Sequence, residues 1–180
     1  MIDEWVEQCR QGQTRAFAEI VKTLQPGLLG FLFRMTQDRE LAEDLGQEAF
    51  LRAFRQIHRY NGKKAAFPTW LFTLARNLCL DELRKHRPKW ASLEEAAEIE
   101  QKGVLAPDGE AGERELERRI AHAVAELEPV YREVFVLREY ENLSLEEVAE
   151  IIDCPLGTVK SRLHRARTLL QEELAPILAG

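Results

Sequence analysis

A chain of 180 residues with 45% apolar side chains can bury one ordinary core or two small ones, and its 31 acidic against 25 basic residues leave a formal net charge of -6, which excludes indiscriminate coating of nucleic acid. Three scattered cysteines (Cys9, Cys79, Cys154), none in a CxxC pair, exclude a disulfide framework and a thiolate zinc site. His58, His86, His122 and His164 stand singly, so nothing points to a nucleophile–base pair or a ligand cluster; no enzyme, cofactor, metal or small-molecule substrate is expected.

The opening MIDEWVEQCRQG is charged where a signal peptide needs a basic start and an apolar run, and beyond the seven residues GLLGFLF no stretch approaches the roughly 20 apolar residues that cross a bilayer. The expectation is a soluble, cytoplasmic protein with no direct membrane insertion. Helix formers dominate and apolar positions recur at three and four, which predicts an all-α fold. AFAEIVKTLQ, a break at Pro26-Gly27, LLGFLFRMTQ, a helix opening near Asp38, a turn at Asn61-Gly62 and a long helix from about Pro68 make four helices before Pro88.

In DRELAEDLGQEAFLRAFRQI, Leu41, Leu45, Ala49, Ala53 and Ile57 repeat every four and leave Glu40, Asp44, Gln47 and Glu48 along another face. Such an acidic, amide-bearing face suits a basic protein surface, with ordinary solvated charge as the alternative. Gly46 in its middle has no account from the sequence. The next helix, FPTWLFTLARNLCLDELRKHRPK, buries Trp70 or Leu71, Leu74, Leu78 and Leu83, and carries Arg76, Asn77, Asp81, Arg84 and Lys85 on its other side. Just before it, RYNGKKAAFPTW sets Lys63 and Lys64 beside Tyr60, Phe67 and Trp70. Cations next to aromatics suit unpaired DNA, whose bases stack on rings for roughly 1–3 kcal/mol each; core packing is the competing role for each ring.

From Ser92 to Glu117 nine acidic residues face two basic ones, with Pro107 and three glycines, and this composition predicts a tether between two small helical domains. Helical periodicity then resumes. In LSLEEVAEIIDCPLGTVKSRLHRARTLL, Ser144 and Glu147 form a capping box, Leu145, Val148, Ala149 and Ile152 an apolar stripe, and Asp153-Cys154-Pro155 a tight turn. Val159, Leu163, Ala166 and Leu170 face the core of a second helix. Its outer face presents Thr158, Lys160, Ser161, His164 and Arg165, with Arg162 and Arg167 at the flanks. That is a helix-turn-helix with a basic, hydroxyl-bearing reader helix, and it concentrates cations where phosphates would lie.

Three blocks in this order, DRELAEDLGQEAFLRAF, FPTWLFTLARNLCLDELRK and LSLEEVAEIIDCPLGTVKSRLHRARTLL, resemble a bacterial RNA polymerase sigma factor of the extracytoplasmic-function (ECF) class over nearly the whole chain. The resemblance implies a region 2-like domain at 1–90, an acidic linker at 91–116 and a region 4-like domain at 117–180. It implies that Asp44, Leu45, Gln47, Glu48 and Phe50 bind core RNA polymerase. It also assigns Tyr60, Lys63, Lys64, Phe67, Trp70, Arg76, Asn77, Arg84 and Lys85 to the promoter -10 element, and Thr158, Lys160, Ser161, Arg162, His164, Arg165 and Arg167 to the -35 element. Promoter DNA, core polymerase and an anti-sigma factor are the implied partners. An effector-responsive helix-turn-helix repressor or activator, with a ligand pocket in the first domain, is the alternative.

Overall fold

A computed structural model describes residues 1–86 and 111–178, and among these all regular structure is helical. The first half comprises α1 (Ile2–Arg10), α2 (Ala16–Thr36), α3 (Arg39–Gln56), a 3-10 turn (Ile57–Arg59) and α4 (Phe67–His86). The second comprises α5 (Ala111–Glu126), α6 (Pro129–Phe135), a π turn (Val136–Tyr140), α7 (Leu145–Ile152) and α8 (Leu156–Leu178). Of the expected acidic linker, 91–110 lies outside the described residues and 111–116 belongs to α5.

The sequence predicts four helices before Pro88, but two details differ. MIDEWVEQCR forms α1, with Val6 and Cys9 buried. The expected break at Pro26-Gly27 is absent, and α2 runs unbroken for 21 residues. An internal proline costs a helix about 3 kcal/mol. Ile20 before it and Leu28, Phe31, Leu32 and Met35 after it are all buried, and burial of such side chains at about 1.5–3 kcal/mol each offsets that cost. This continuous α2 is also apolar and long enough to cross a membrane by length and composition, which reading it as two segments concealed. Its buried residues instead make the centre of the first half: Phe31 meets Phe72 of α4 at 5.8 Å between ring centroids, and Leu45, Ala49 and Ala53 of α3 close the third side.

Gly46 now has a reason. A Cβ there would stand 2.6 Å from Leu29 Cδ2, so the glycine lets α2 and α3 approach. Chain reversals follow local chemistry as well. Gln37 adopts a left-handed φ of 57° after α2, and the Asp38 carboxylate caps α3 by accepting from the Leu41 N–H at 3.0 Å.

The two halves pack together: α4 lies against α7, and α2 against α5, α6 and the π turn. This explains a misassignment on α4. Its buried apolar residues are Phe67, Leu71, Phe72, Ala75 and Cys79, while Trp70, Leu74, Leu78 and Leu83 are only partly covered. A helix covered on two sides buries more than one stripe.

Candidate nucleic-acid interface

The second half presents α8 outward. Ser144 accepts from the Glu147 N–H at 3.1 Å while the Glu147 carboxylate accepts from the Ser144 N–H at 2.8 Å, so both orphan donors at the start of α7 are satisfied. Asp153, left-handed at φ 51°, ends α7, and Pro155 opens the reader helix by accepting from the Thr158 and Val159 N–H groups. Val148, Ile151, Ile152, Val159, Leu163, Ala166 and Leu170 are buried, with α8 packed on α5, α6 and α7, and α7 packed on α4 as well.

Lys160, Ser161, His164, Arg165 and Arg167 are exposed; Thr158 and Arg162 are half-buried. The flanking arginines are engaged within the chain. Arg167 pairs with Glu139 at 2.5 Å, and Arg162 stands 3.7 Å from Glu133. The Ser161 hydroxyl donates to the Thr158 carbonyl at 3.0 Å, which leaves its lone pairs outward. Lys160, His164 and Arg165 therefore form the open basic patch.

The first half divides its assigned residues differently. Tyr60 and Phe67 are core: the rings of Tyr60, Phe67 and Trp70 lie 5.2–5.4 Å apart, and the Tyr60 hydroxyl donates to the Ala65 carbonyl at 2.9 Å. Arg10 of α1 fastens this cluster from outside, its guanidinium 5.5 Å from the Tyr60 centroid and donating to the Ile57 and Tyr60 carbonyls. Of the two roles open to these rings, burial gives them core packing, and they frame the loop in place of offering stacking platforms. What the frame displays is the turn itself, where Asn61 accepts from the Lys63 and Lys64 N–H groups at 3.0 Å and both lysines are exposed. Along α4, Asn77, Arg84 and Lys85 are exposed, with Arg84 3.5 Å from Asp81 and Lys85 2.8 Å from Glu82. Arg76 is not free: it makes a bidentate pair with Glu133 of α6, which is 3% exposed.

On α3, Asp44 and Gln47 are exposed and Glu48 pairs with Arg52 at 2.6 Å. Leu45 and Phe50, assigned to the same dock, are 7% and 8% exposed and belong to the core, because they share the stripe that meets α2. Two apolar residues not singled out from the sequence, Leu51 and Phe54, are exposed beside Gln47, with the Phe54 ring 5.0 Å from Phe17. The signal was present: Leu51 lies seven residues after Asp44 and four after Gln47, off the buried stripe.

Buried groups tied to these surfaces are shifted. Burial, then the Glu133 carboxylate, pushes the Cys79 thiol up to about 12, so it is no thiolate; burial raises Cys9 too. Among the described residues no group of three His, Cys, Asp or Glu side chains could hold a metal ion.

Residues 20–89 match the family description Sigma-70 region 2, and residues 117–170 match Sigma-70, region 4. The chain is 36% identical to the ECF RNA polymerase sigma factor SigW of Bacillus subtilis, over 97% of each chain. It is 35% identical to the RNA polymerase sigma-H factor of Pseudomonas aeruginosa, over 96% of this chain and 93% of the other. In fold it is similar to CnrH, solved in complex with the cytosolic domain of CnrY (TM-score 0.71, 23% identity, 96% of each chain). It is also similar to the sigma factor RpoE, solved with the anti-sigma factor NepR from Bartonella quintana (TM-score 0.66, 25% identity, 88% of this chain and 96% of the other).

Proposed function

The chain belongs to the ECF class of RNA polymerase sigma factors, and we propose from this that it binds core RNA polymerase and directs initiation at promoters carrying -35 and -10 elements. The observation that carries the residue-level reading is the open patch of Lys160, His164 and Arg165 on a helix whose opposite face is fully packed. In this reading α8 enters the major groove, with Ser161, His164 and Arg165 toward base edges and Lys160 toward phosphate. Lys63, Lys64, Asn77, Arg84 and Lys85 hold the unpaired -10 strand, and the capture of unstacked bases drives strand opening by binding energy. The face of Asp44, Gln47, Leu51 and Phe54 docks on polymerase, combining acidic, amide and apolar surface.

The protein contributes specificity to a catalytic partner and no reaction of its own. Its place of action is the cytoplasm, where polymerase and promoter are. An anti-sigma partner fits this reading, since a solved relative of the same fold is held by one. The repressor alternative assigns no partner to the acidic-apolar face of α3 and is not favoured. Footprinting tests the proposal: core polymerase with this protein protects two separate elements and renders the downstream one permanganate-sensitive. Protection of a single palindrome by the protein alone would instead support the repressor.

A further inference from the structure

Val6 and Cys9 of α1 are buried, and the helix packs on α2 and on the 3-10 turn that follows α3. Arg10 stands four residues after Val6, one turn further along the same side, so its side chain leaves α1 toward that turn. Only 30% of it is exposed. Its Nε donates to the Ile57 carbonyl at 3.3 Å, its Nη2 donates to the Tyr60 carbonyl, and the guanidinium lies 5.5 Å from the Tyr60 ring centroid. These carbonyls belong to the end of the 3-10 turn, where helical carbonyls lack partners and attract a cation.

Tyr60 is also the residue on which the following loop is built. Its backbone turns extended as the chain leaves the 3-10 turn, and its hydroxyl donates to the Ala65 carbonyl at 2.9 Å. One residue therefore fixes the entry of the loop through its backbone and the exit through its ring. Between them Asn61 folds the chain back, its side-chain oxygen accepting from the Lys63 N–H and its carbonyl from the Lys64 N–H, each at 3.0 Å. A Cβ on Gly62 would stand 3.2 Å from the Tyr60 hydroxyl oxygen, closer than ordinary contact, so the loop closes tightly over the ring. Arg10 grips Tyr60 at both the carbonyl and the ring, 50 residues away in the chain.

The match to Sigma-70 region 2 begins at residue 20, so α1 lies outside it. We propose that Arg10 is a positioning residue for strand opening: acting through Tyr60, it holds Lys63 and Lys64 in the arrangement that receives the unpaired -10 strand. The inference rests on the function proposed above, in which these lysines take that strand. Opening driven by capture needs the cations in place before the bases emerge, because a loop ordered only on binding gives up part of the capture energy to its own ordering. The guanidinium suits this task. Its separate nitrogens serve two carbonyls while its flat face meets a ring, and a lysine ammonium, as a point charge, cannot do both.

The test uses the full chain and two variants, Arg10→Met, which keeps the stem and removes every donor, and Arg10→Lys, which keeps the charge. Amide resonances are compared by 1H–15N correlation spectra, and helix content by far-ultraviolet circular dichroism. Each form is then combined with core polymerase on one promoter fragment that the wild type uses. Positioning predicts that in both variants the amides of Asn61, Gly62, Lys63 and Lys64 move while those of α8 stay. Permanganate reactivity at the downstream element should fall by at least about 10-fold, since displacing a positioned group by about 1 Å can cost about 100-fold, with protection of the upstream element unchanged. Arg10→Lys carries the test if Arg10→Met loses helix. Unmoved loop amides overturn the proposal, as does an Arg10→Lys that opens the promoter like wild type, which would leave Arg10 a role of charge alone. Equal loss of upstream protection also overturns it, since the effect would then be one of general stability. If the loop amides move and the wild type itself uses no promoter, Arg10 still positions the loop and the promoter reading falls.

Discussion

The guanidinium of Arg34 lies 3.9 Å from the centroid of the Tyr140 ring and joins the last turns of α2 to the π turn that follows α6. A cation held over a ring and partly shielded from water contributes roughly 1–2 kcal/mol. Arg34→Ala should therefore lower the unfolding temperature by about 2–8 °C, at the 2–4 °C per kcal/mol expected for a chain this size. Calorimetry checks it, and an unchanged transition would remove Arg34 from the seam between the two halves.

Glu141 beside it gives the seam a pH dependence. Burial, opposed by Arg34, raises its carboxyl from 4.5 to about 7. The folded chain thus binds more protons than the unfolded chain between these values, so this group's contribution to stability falls as pH rises from about 4.5 to 7. Below that window the carboxyl is protonated in both states; above it the penalty is complete. Glu141→Gln should gain stability relative to wild type steadily from pH 5 to 7.5 in urea titrations. Parallel pH profiles would contradict the assignment.

Ser144 closes the capping box of α7. Ser144→Ala should cost about 1 kcal/mol, read from the urea midpoint of the full chain. Binding to the -35 duplex should weaken with it, because α7 positions the reader helix.

Two cations on α8 should separate into different roles. Arg165→Ala is expected to cost about 1–3 kcal/mol of discrimination at one position of the -35 element. Lys160→Ala should weaken binding to all sequences alike and reduce the salt slope by about one. Salt titrations on matched and mismatched duplexes distinguish the two; identical behaviour would mean that neither reads a base.

Leu51 is 49% exposed on the α3 face. Leu51→Asp should leave stability within about 0.5 kcal/mol, as for an ordinary surface substitution. Binding to core polymerase should fall by at least about 10-fold, in line with the loss of an apolar interface residue worth more than 1 kcal/mol. Undiminished binding would move the dock elsewhere.

The helix-turn-helix was legible in the sequence because its signals are local: a capping box three residues apart, a proline after a short turn, and Val159, Leu163, Ala166 and Leu170 on one stripe. Core packing was one of the two roles open for Tyr60 and Phe67, but Phe50 was not legible as core, since spacing cannot say whether a helix is covered on one side or two. Pro26 looked like a break because proline is a strong local signal, and only tertiary burial around it overrides that signal. Glu133 escaped notice altogether. It stands among ordinary charged residues in PVYREVF, and its partners lie 57 residues before it and 29 after it. A contact made between halves leaves no period in the sequence.

The central claim is that this chain gives core polymerase its choice of promoter, and reconstituted transcription tests it most directly. Core RNA polymerase, the purified protein and fragmented DNA from the source organism are combined, and the RNA 5′ ends are sequenced. The account predicts starts that depend on the protein and share two upstream motifs at fixed spacing, lost together when Lys160, His164 and Arg165 are replaced. A protein that binds core polymerase yet yields no such starts would contradict it.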